Sequence, residues 1–321
     1  MFRKIIISVA IIGGVLLVTA VVMGRVFEDE LTQYVLTGLN NQIRTEVKVE
    51  DVKLSFLKKF PDASLEFRDI FITSVPDFNS SVFLTQNTDT LLAAEKLFLR
   101  FNVLKLLKRQ YIIREVQVHS GILNIFIDRA GKGNFVFWEK KDGDGEKSFL
   151  FELDNVSLTD IHVRFDNRAL EISIGGLLYK SFFKGQFSRE AYNLSAGFEG
   201  MLHHYTNAGG NFLNQQRISS TASMFIDPQS IQISGGDFML AGQKLLVSGK
   251  ILRPKPLHFD LDIEGNQLDL ENILRYLVIS NDKLPRDIRA GGNLNFHGQV
   301  KGTASNTKMP RIEALFTLQD G

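Results

Sequence analysis

From residue 47 onward the chain alternates apolar and polar residues with a period of two, and few segments between these runs are long enough for a helix. The clearest case is 257–264, where Leu257, Phe259, Leu261 and Ile263 alternate strictly with His258, Asp260, Asp262 and Glu264. Successive side chains point to opposite faces of a strand, so one face here is dry and the other wet. With no helix-length connections, βαβ crossovers have no room. The expected fold is mainly β, an antiparallel meander with few short helices. A dry face of this kind suits either a closed sandwich core or a long curled sheet whose inner face stays open as a hydrophobic groove.

The alternation begins with Val47, Val49, Val52, Leu54 and Phe56, crosses a turn at Phe60-Pro61-Asp62, and resumes with Leu65 and Phe67. It slips by one residue at Asp69-Ile70, which predicts a bulge or turn. Residues 75–90, rich in Asn, Ser, Thr and Asp, read as a long mobile loop. Leu97, Leu99 and Phe101 form the next strand, and 103–110, with Lys105, Lys108 and Arg109, is a short helix candidate. Strands are expected at 113–119, including Val116 and Val118, and at 122–128, before a Gly131–Gly133 turn. The polar stretch 140–148 reads as a linker or loop tip. Further short strands follow at 151–153, 156–158, 161–165, 170–174, 182–187 and 192–198. Later ones fall at 223–226, 231–233, 238–240 (Phe238, Leu240), 245–247, 257–263, 294–296 (Leu294, Phe296) and 312–318. Leu270, Ile273, Leu274 and Leu277 make one late helical face over 268–279.

Ahead of the strands, Ile5 to Met23 is a run of nineteen residues without a charge, holding twelve Ile, Val or Leu, Leu16 among them. At about −0.4 kcal/mol each these favour membrane insertion by roughly 5 kcal/mol. The run is too long for a signal-peptide core and lacks a small-x-small cleavage site, so an uncleaved anchor is expected. Arg3 and Lys4 precede it, while Glu28, Asp29 and Glu30 soon follow Arg25; the N-terminus is expected to stay cytoplasmic and the rest to cross. Leu31, Tyr34, Val35, Leu39 and Ile43 then predict an amphipathic helix over 28–44. The expected order is a cytoplasmic tip (1–4), an anchor (5–23), the helix (28–44), a β region (47–139), the polar stretch (140–148) and a second β region (149–321).

The chain carries 37 basic and 36 acidic residues, a balance that disfavours nucleic acid as a partner. It has no Cys, which excludes disulfides, thiol catalysis and Cys-ligated metals. Phe occurs 26 times against one Trp and six Tyr, unlike an outer-membrane barrel with its amphipathic aromatic girdles. Asp142-Gly-Asp-Gly-Glu146 opens like a calcium loop, but Lys147 takes the glycine position and Leu153 the bidentate Glu position. His203 and His204 are adjacent, so they diverge on an extended chain as surface residues, with no third ligand for zinc. Gly209-Gly210-Asn211 and Gly235-Gly236-Asp237 read as hairpin turns, Ser219-Ser220-Thr221 lacks a nucleophile-elbow context, and Asp260, Asp262 and Glu264 read as solubilising. No catalytic site, metal or cofactor is expected.

The run Val47–Ile72 resembles the N-terminal segment of AsmA-like proteins. Residues 97–101, Leu104-Lys105-Leu106-Leu107 and 113–124 are similar to that family's strand, short helix and next strand. Asp128-x-x-Gly131-x-x-Asn134-Phe135 resembles its Gly-x-x-Asn-aromatic turn, with Trp138 three residues later. Residues 268–274, 294–302 and 310–316 also look like AsmA-type sequence, so the resemblance extends over nearly the whole chain. It implies a single-pass inner-membrane protein of a diderm bacterium, its bulk periplasmic, related to bridge-like lipid-transfer proteins and supporting outer-membrane biogenesis. Such proteins carry phospholipid along a hydrophobic β groove without covalent chemistry, which favours the groove over the sandwich. The implied partners are phospholipid acyl chains and the inner membrane. The groove candidates are Leu97, Leu99, Phe101, Val116, Val118, Phe238, Leu240, Leu257, Phe259, Leu261, Ile263, Leu294 and Phe296. The competing expectation is a structural or assembly factor that binds other envelope proteins through strand edges or the 75–90 loop.

Overall fold

The computed structural model describes residues 45–59, 62–83, 87–102, 105, 112–135, 150–187, 190–208, 210–253, 256–273, 291–305 and 307–319. The anchor at 5–23, the helix at 28–44, nearly all of 103–110 and the 140–148 stretch lie outside these residues. Among the described residues no helix is long and apolar enough to cross a membrane.

The period-two runs form one open sheet of fourteen strands. These are β1 (Val47–Lys48), β2 (Asp51–Lys59), β3 (Asp62–Thr73), β4 (Thr90–Asn102), β5 (Ile112–Ile127), β6 (Leu150–Asn167) and β7 (Ile172–Gly185). They continue with β8 (Tyr192–Asn207), β9 (Gly210–Ile226), β10 (Ser230–Leu240), β11 (Gln243–Leu252), β12 (Leu257–Asp269), β13 (Asn293–Ala304) and β14 (Arg311–Gln319). From β3 to β14 each strand pairs with the next in sequence, while β1 and β2 both pair with β3. One pair departs from the expected meander: β5 and β6 are parallel, with Val116 opposite Val156 and Val118 opposite Leu158. The 128–149 connection between them, which includes the 140–148 stretch expected as a linker or loop tip, exceeds the dozen or so residues that a parallel return requires.

Several strands are longer than the alternation suggested, for one physical reason. Asp69 (φ 48°), Ser120 (φ 52°) and Asp160 (φ 54°) adopt left-handed backbone conformations inside β3, β5 and β6. The registers skip at the same places: Arg68 faces Lys96 and Ile70 faces Ala94, with Asp69 and Glu95 between. His119 faces Thr159 and Gly121 faces Ile161, and on the far side Thr159 faces Lys180 and Ile161 faces Leu178. Asp69, Glu95, Ser120, Asp160 and Tyr179 therefore mark one crease across β3 to β7. Each skipped residue flips the parity of the inward set, from Leu65 and Phe67 to Ile70, from Leu97 to Ala94, and from Leu158 to Ile161, all within one core cluster. The slip expected at Asp69 is real. The same slip made β5 read as two strands, 113–119 and 122–128, and β6 as three. Likewise the expected strands 170–174 and 182–187 are parts of one strand, β7 (Ile172–Gly185), with 168–171 in the turn before it and 186–187 beyond its end.

One turn and a helix also differ from expectation. Gly235-Gly236-Asp237 is not a hairpin turn but lies inside β10, where the register shifts against both neighbours. The expected hairpin at Gly210 is present, joining Asn207 of β8 to β9. Helical structure at 268–279 starts only after β12, at 270–273, where the Asn272 N–H donates to Asp269 Oδ1 at 3.1 Å as an N-cap.

The 75–90 segment is not a free loop over its described part. Val75, Phe78 and Phe83 are buried with Phe126 of β5, and a short 3-10 helix, Ser80–Phe83, supplies the last ring of the segment. Phe83 lies 5.1 Å from Phe126 and 5.7 Å from Phe78, with the Arg168 guanidinium 5.1 Å over its ring. The rings offset the ordering cost that a polar composition alone does not cover.

Candidate functional site

Alternation places Leu65, Phe67, Leu97, Leu99, Phe101, Val116, Val118, Val156 and Leu158 on one face of β3 to β6, each opposite an apolar partner. This part of the face is filled. Leu65, Phe67 and Ile161 are at most 1 % exposed, and Leu97, Leu99, Phe101 and Val118 are buried with them. Those four groove candidates, and Val116 packed against the same cluster, are core residues of the N-terminal sheet and do not line an open surface.

Beyond β6 the same face continues but is only half-buried. Val156 faces Phe183, Phe183 faces Ala196, Ala196 faces Ala222, Ala222 faces Gly236 and Gly236 faces Val247. Val247 then faces Ile263, which faces Gly298, which faces Ala314. Directly opposed residues share a face, so this is one uninterrupted apolar row from β6 to β14. Parallel rows run through Phe238 and Leu245, through Ile251 and Phe259, and through Leu261, Val300 and Ile312. Leu240 faces Ile218, Leu257 faces Ala304, Leu294 faces Leu268 and Leu318, and Phe296 faces Gly265 and Phe316. The structure thus brings the remaining groove candidates, Phe238, Leu240, Leu257, Phe259, Leu261, Ile263, Leu294 and Phe296, onto one surface.

That surface is corrugated. Phe259 stands opposite Gly302, Ile263 opposite Gly298, and Phe198 between Ser181 and Ser220. Large side chains beside small ones leave furrows between ridges. Gly298 shows the constraint: a Cβ there would meet the Phe296 ring at 2.6 Å.

The opposite face is charged. Lys301 Nζ lies 3.8 Å from Asp260, His297 lies 3.9 Å from both Asp262 and Glu264, and Gln299 Nε2 donates to Asp262 at 2.8 Å. Lys244 pairs with Asp237 at 3.0 Å. Exposed pairs of this kind contribute about 0–1 kcal/mol each, so their main effect is to keep this side in water. Asp260, Asp262 and Glu264 are therefore paired, solvated groups. Nearer the N-terminal end of this face the buried Glu115 is paired with Arg100 and accepts from Gln117 and Asn155 at 2.7 Å each.

Two sequence features resolve into structural roles. In the Asp128–Phe135 turn, Asp128 Oδ1 accepts from the N–H groups of Ala130 and Lys132 at 2.9 Å each, and Gly131 takes φ 81°. Asn134, fully buried, accepts from Phe126 N–H at 2.9 Å and donates to Ser74 Oγ at 2.9 Å and Asn124 O at 3.1 Å. The motif pins the 74–83 segment to the end of β5. His203 and His204 are half-buried and not fully at the surface; His204 Nε2 sits 3.3 Å from Ser173 Oγ. Burial, with the neighbouring His203 and Arg164 charges, pushes the His204 imidazole below its ordinary value, against a weaker pull from Asp166.

Arg253 and Tyr192 did not stand out in the sequence. Arg253 follows Leu245, Val247, Gly249 and Ile251 at the same two-residue spacing, so it ends an apolar row, and that periodicity was the available signal. Its N–H donates to Gln229 O at 2.7 Å and its Nη2 to Asp227 O at 2.6 Å. Tyr192 ends the equivalent row of β8, opposite Ile226, with Phe187 edge-on at 5.6 Å. Asp227 beside them is committed to its own turn: bonds from the Ser230 hydroxyl (2.9 Å) and the Gln229 and Ser230 N–H groups (2.7 Å each) hold its carboxyl below the usual carboxylate range.

No protein-family model matches the chain, and no curated protein matches it.

Proposed function

We propose that this is an inner-membrane anchored, periplasmic AsmA-like protein that supports outer-membrane biogenesis by carrying phospholipid acyl chains on the apolar face of its sheet. The observation that carries the reading is the registered apolar row from β6 to β14, partly buried as far as β13 and exposed on β14, on one side of an open sheet whose other side bears paired charges. Large contiguous apolar faces on a soluble surface mark sites for a ligand or partner. Acyl chains suit it because contact needs no directional bonds, and ridges of Phe and Leu between glycine furrows match flexible hydrocarbon. The anchor and the cellular setting rest on the sequence: the 5–23 span and the AsmA resemblance. The chemistry is non-covalent.

The test is a charge placed on each face. Phe259→Asp puts a carboxylate where hydrocarbon would lie, at a desolvation cost of several kcal/mol, and is expected to abolish photocrosslinking of acyl chains at Leu261 and to impair envelope integrity. Asp260→Asn changes only the wet face and is expected to leave both intact. Equal effects of the two substitutions would sink the proposal.

An assembly factor that binds other envelope proteins is favoured by one observation: all nine residues of β14 are exposed, including Ile312, Leu315, Phe316 and Leu318 at 54–69 %. Such a strand is suited to accept another strand. A photocrosslinker at Leu315 that captures a defined protein partner in lipid-free material would support this reading over the conduit.

A further inference from the structure

The two ends of the apolar rows differ. On β11 the row Leu245, Val247, Gly249, Ile251 ends on Arg253 at one rim and on Gln243 at the other, where Gln243 Oε1 accepts from Asp269 N–H at 3.0 Å. The connections after β9, β11 and β13 gather at the Arg253 rim. There Arg253 and Lys308 are cationic, and the nearby Asp227 carboxylate is occupied by its own turn. At the opposite rim, after β10 and β12, the Asp269 carboxylate is likewise occupied by its own turn, accepting from the Asn272 N–H at 3.1 Å and Nδ2 at 2.7 Å. Tyr192 closes the β8 row at the Arg253 rim, its ring on the apolar side. An Arg and a Tyr at the edge of an apolar surface form the arrangement in which apolar stems lie on hydrocarbon and polar heads meet a lipid headgroup. From Leu245 to Ile251 the row covers roughly 20 Å at ~3.4 Å per residue, enough to take an acyl chain that spans one leaflet, ~15 Å or half of a ~30 Å hydrocarbon core.

We propose that the apolar face takes a phospholipid in one orientation, with its phosphate at Arg253 beside Tyr192 and its acyl chains lying along β8 to β12 towards Gln243. Arg253 is pre-positioned for this role. Its Nη2 and backbone N–H are tied to the 227–229 turn, which holds the guanidinium at the end of the row at little further entropic cost. At the other rim the β11 row ends on the neutral Gln243, so the orientation is set by the cation at Arg253.

This inference rests on the acyl-carrying reading above, and the experiment separates the two. The full chain is incubated with vesicles containing equal amounts of phosphatidylglycerol and diacylglycerol of the same acyl composition, reisolated, and its bound lipid measured by mass spectrometry. The wild type is expected to retain phosphatidylglycerol in preference to diacylglycerol. Arg253→Gln is expected to lower phosphatidylglycerol capture about tenfold or more, the scale of a charge-assisted hydrogen bond, and to leave diacylglycerol capture unchanged. Arg253→Lys is expected to keep most of the preference, with an unchanged melting temperature as the check on folding. Unchanged phosphatidylglycerol capture by Arg253→Gln, or equal loss of both lipids, would overturn the headgroup assignment while leaving the apolar face as a carrier. Failure of the wild type to capture either lipid would overturn both.

Discussion

Asn134 shows how one side chain can decide a local fold. Its amide satisfies the Phe126 N–H, the Ser74 hydroxyl and the Asn124 carbonyl with no exposure to water. Asn134→Ala leaves the buried Phe126 N–H without its acceptor, at a cost of about 1–3 kcal/mol, while the Ser74 hydroxyl keeps its bond to Thr88 O at 2.6 Å. The expected result is a fall in melting temperature together with faster proteolysis within 74–83, read by limited digestion. Asn134→Asp should be nearly as damaging, because a carboxylate cannot donate to Ser74 or Asn124 and would be buried charged. The sequence held this residue in a recognisable turn pattern, but the burial that makes it matter depends on Phe83 and Phe126 meeting from distant points of the chain. No local pattern contains that.

At the level of strands, the crease from Asp69 to Tyr179 is the feature that alternation half reveals. A reader of the sequence sees the parity break at Asp69 because Phe67 and Ile70 are both strongly apolar. At Ser120 and Asp160 the same break looks like a gap between two short strands, since nothing in a run of side chains reports a left-handed φ. The crease is also a test of strain. A β-branched residue at φ 52° costs about 1–3 kcal/mol, so Ser120→Val is expected to lower stability by that amount in denaturant titration, and Ser120→Gly to be neutral or slightly stabilising. A Val variant as stable as wild type would mean that the crease relaxes without cost. The parallel pairing of β5 with β6 was hidden for another reason: strand polarity is set by where the 128–149 connection returns, and its composition carries no direction.

Across the whole molecule, the wet and dry faces were legible and the division of the dry face was not. Phe259, Leu261 and Ile263 were read correctly as one side of a strand, because burial parity follows from period two alone. Leu97, Leu99 and Val118 have the same pattern yet are core, because whether an apolar face is filled depends on what packs over it and not on the strand that carries it. Arg253 is hidden in the sequence for the converse reason. Read by itself it is a loop cation before Pro254; only the register of β11 beside β10 and β12 shows it as the end of an apolar row.

From β3 onward every strand pairs with its immediate neighbour in sequence, and the stability of the sheet is close to a sum of nearest-neighbour interfaces, as in a repeat protein. Length is then a free variable. Inserting one hairpin between β10 and β13 would widen the apolar face by about 10 Å, two interstrand spacings, without disturbing any existing contact except the pair it separates. A surface built this way can be matched to a gap of arbitrary width by duplication of a short stretch of gene, with each added unit inheriting the same dry side, the same charged side and the same rim.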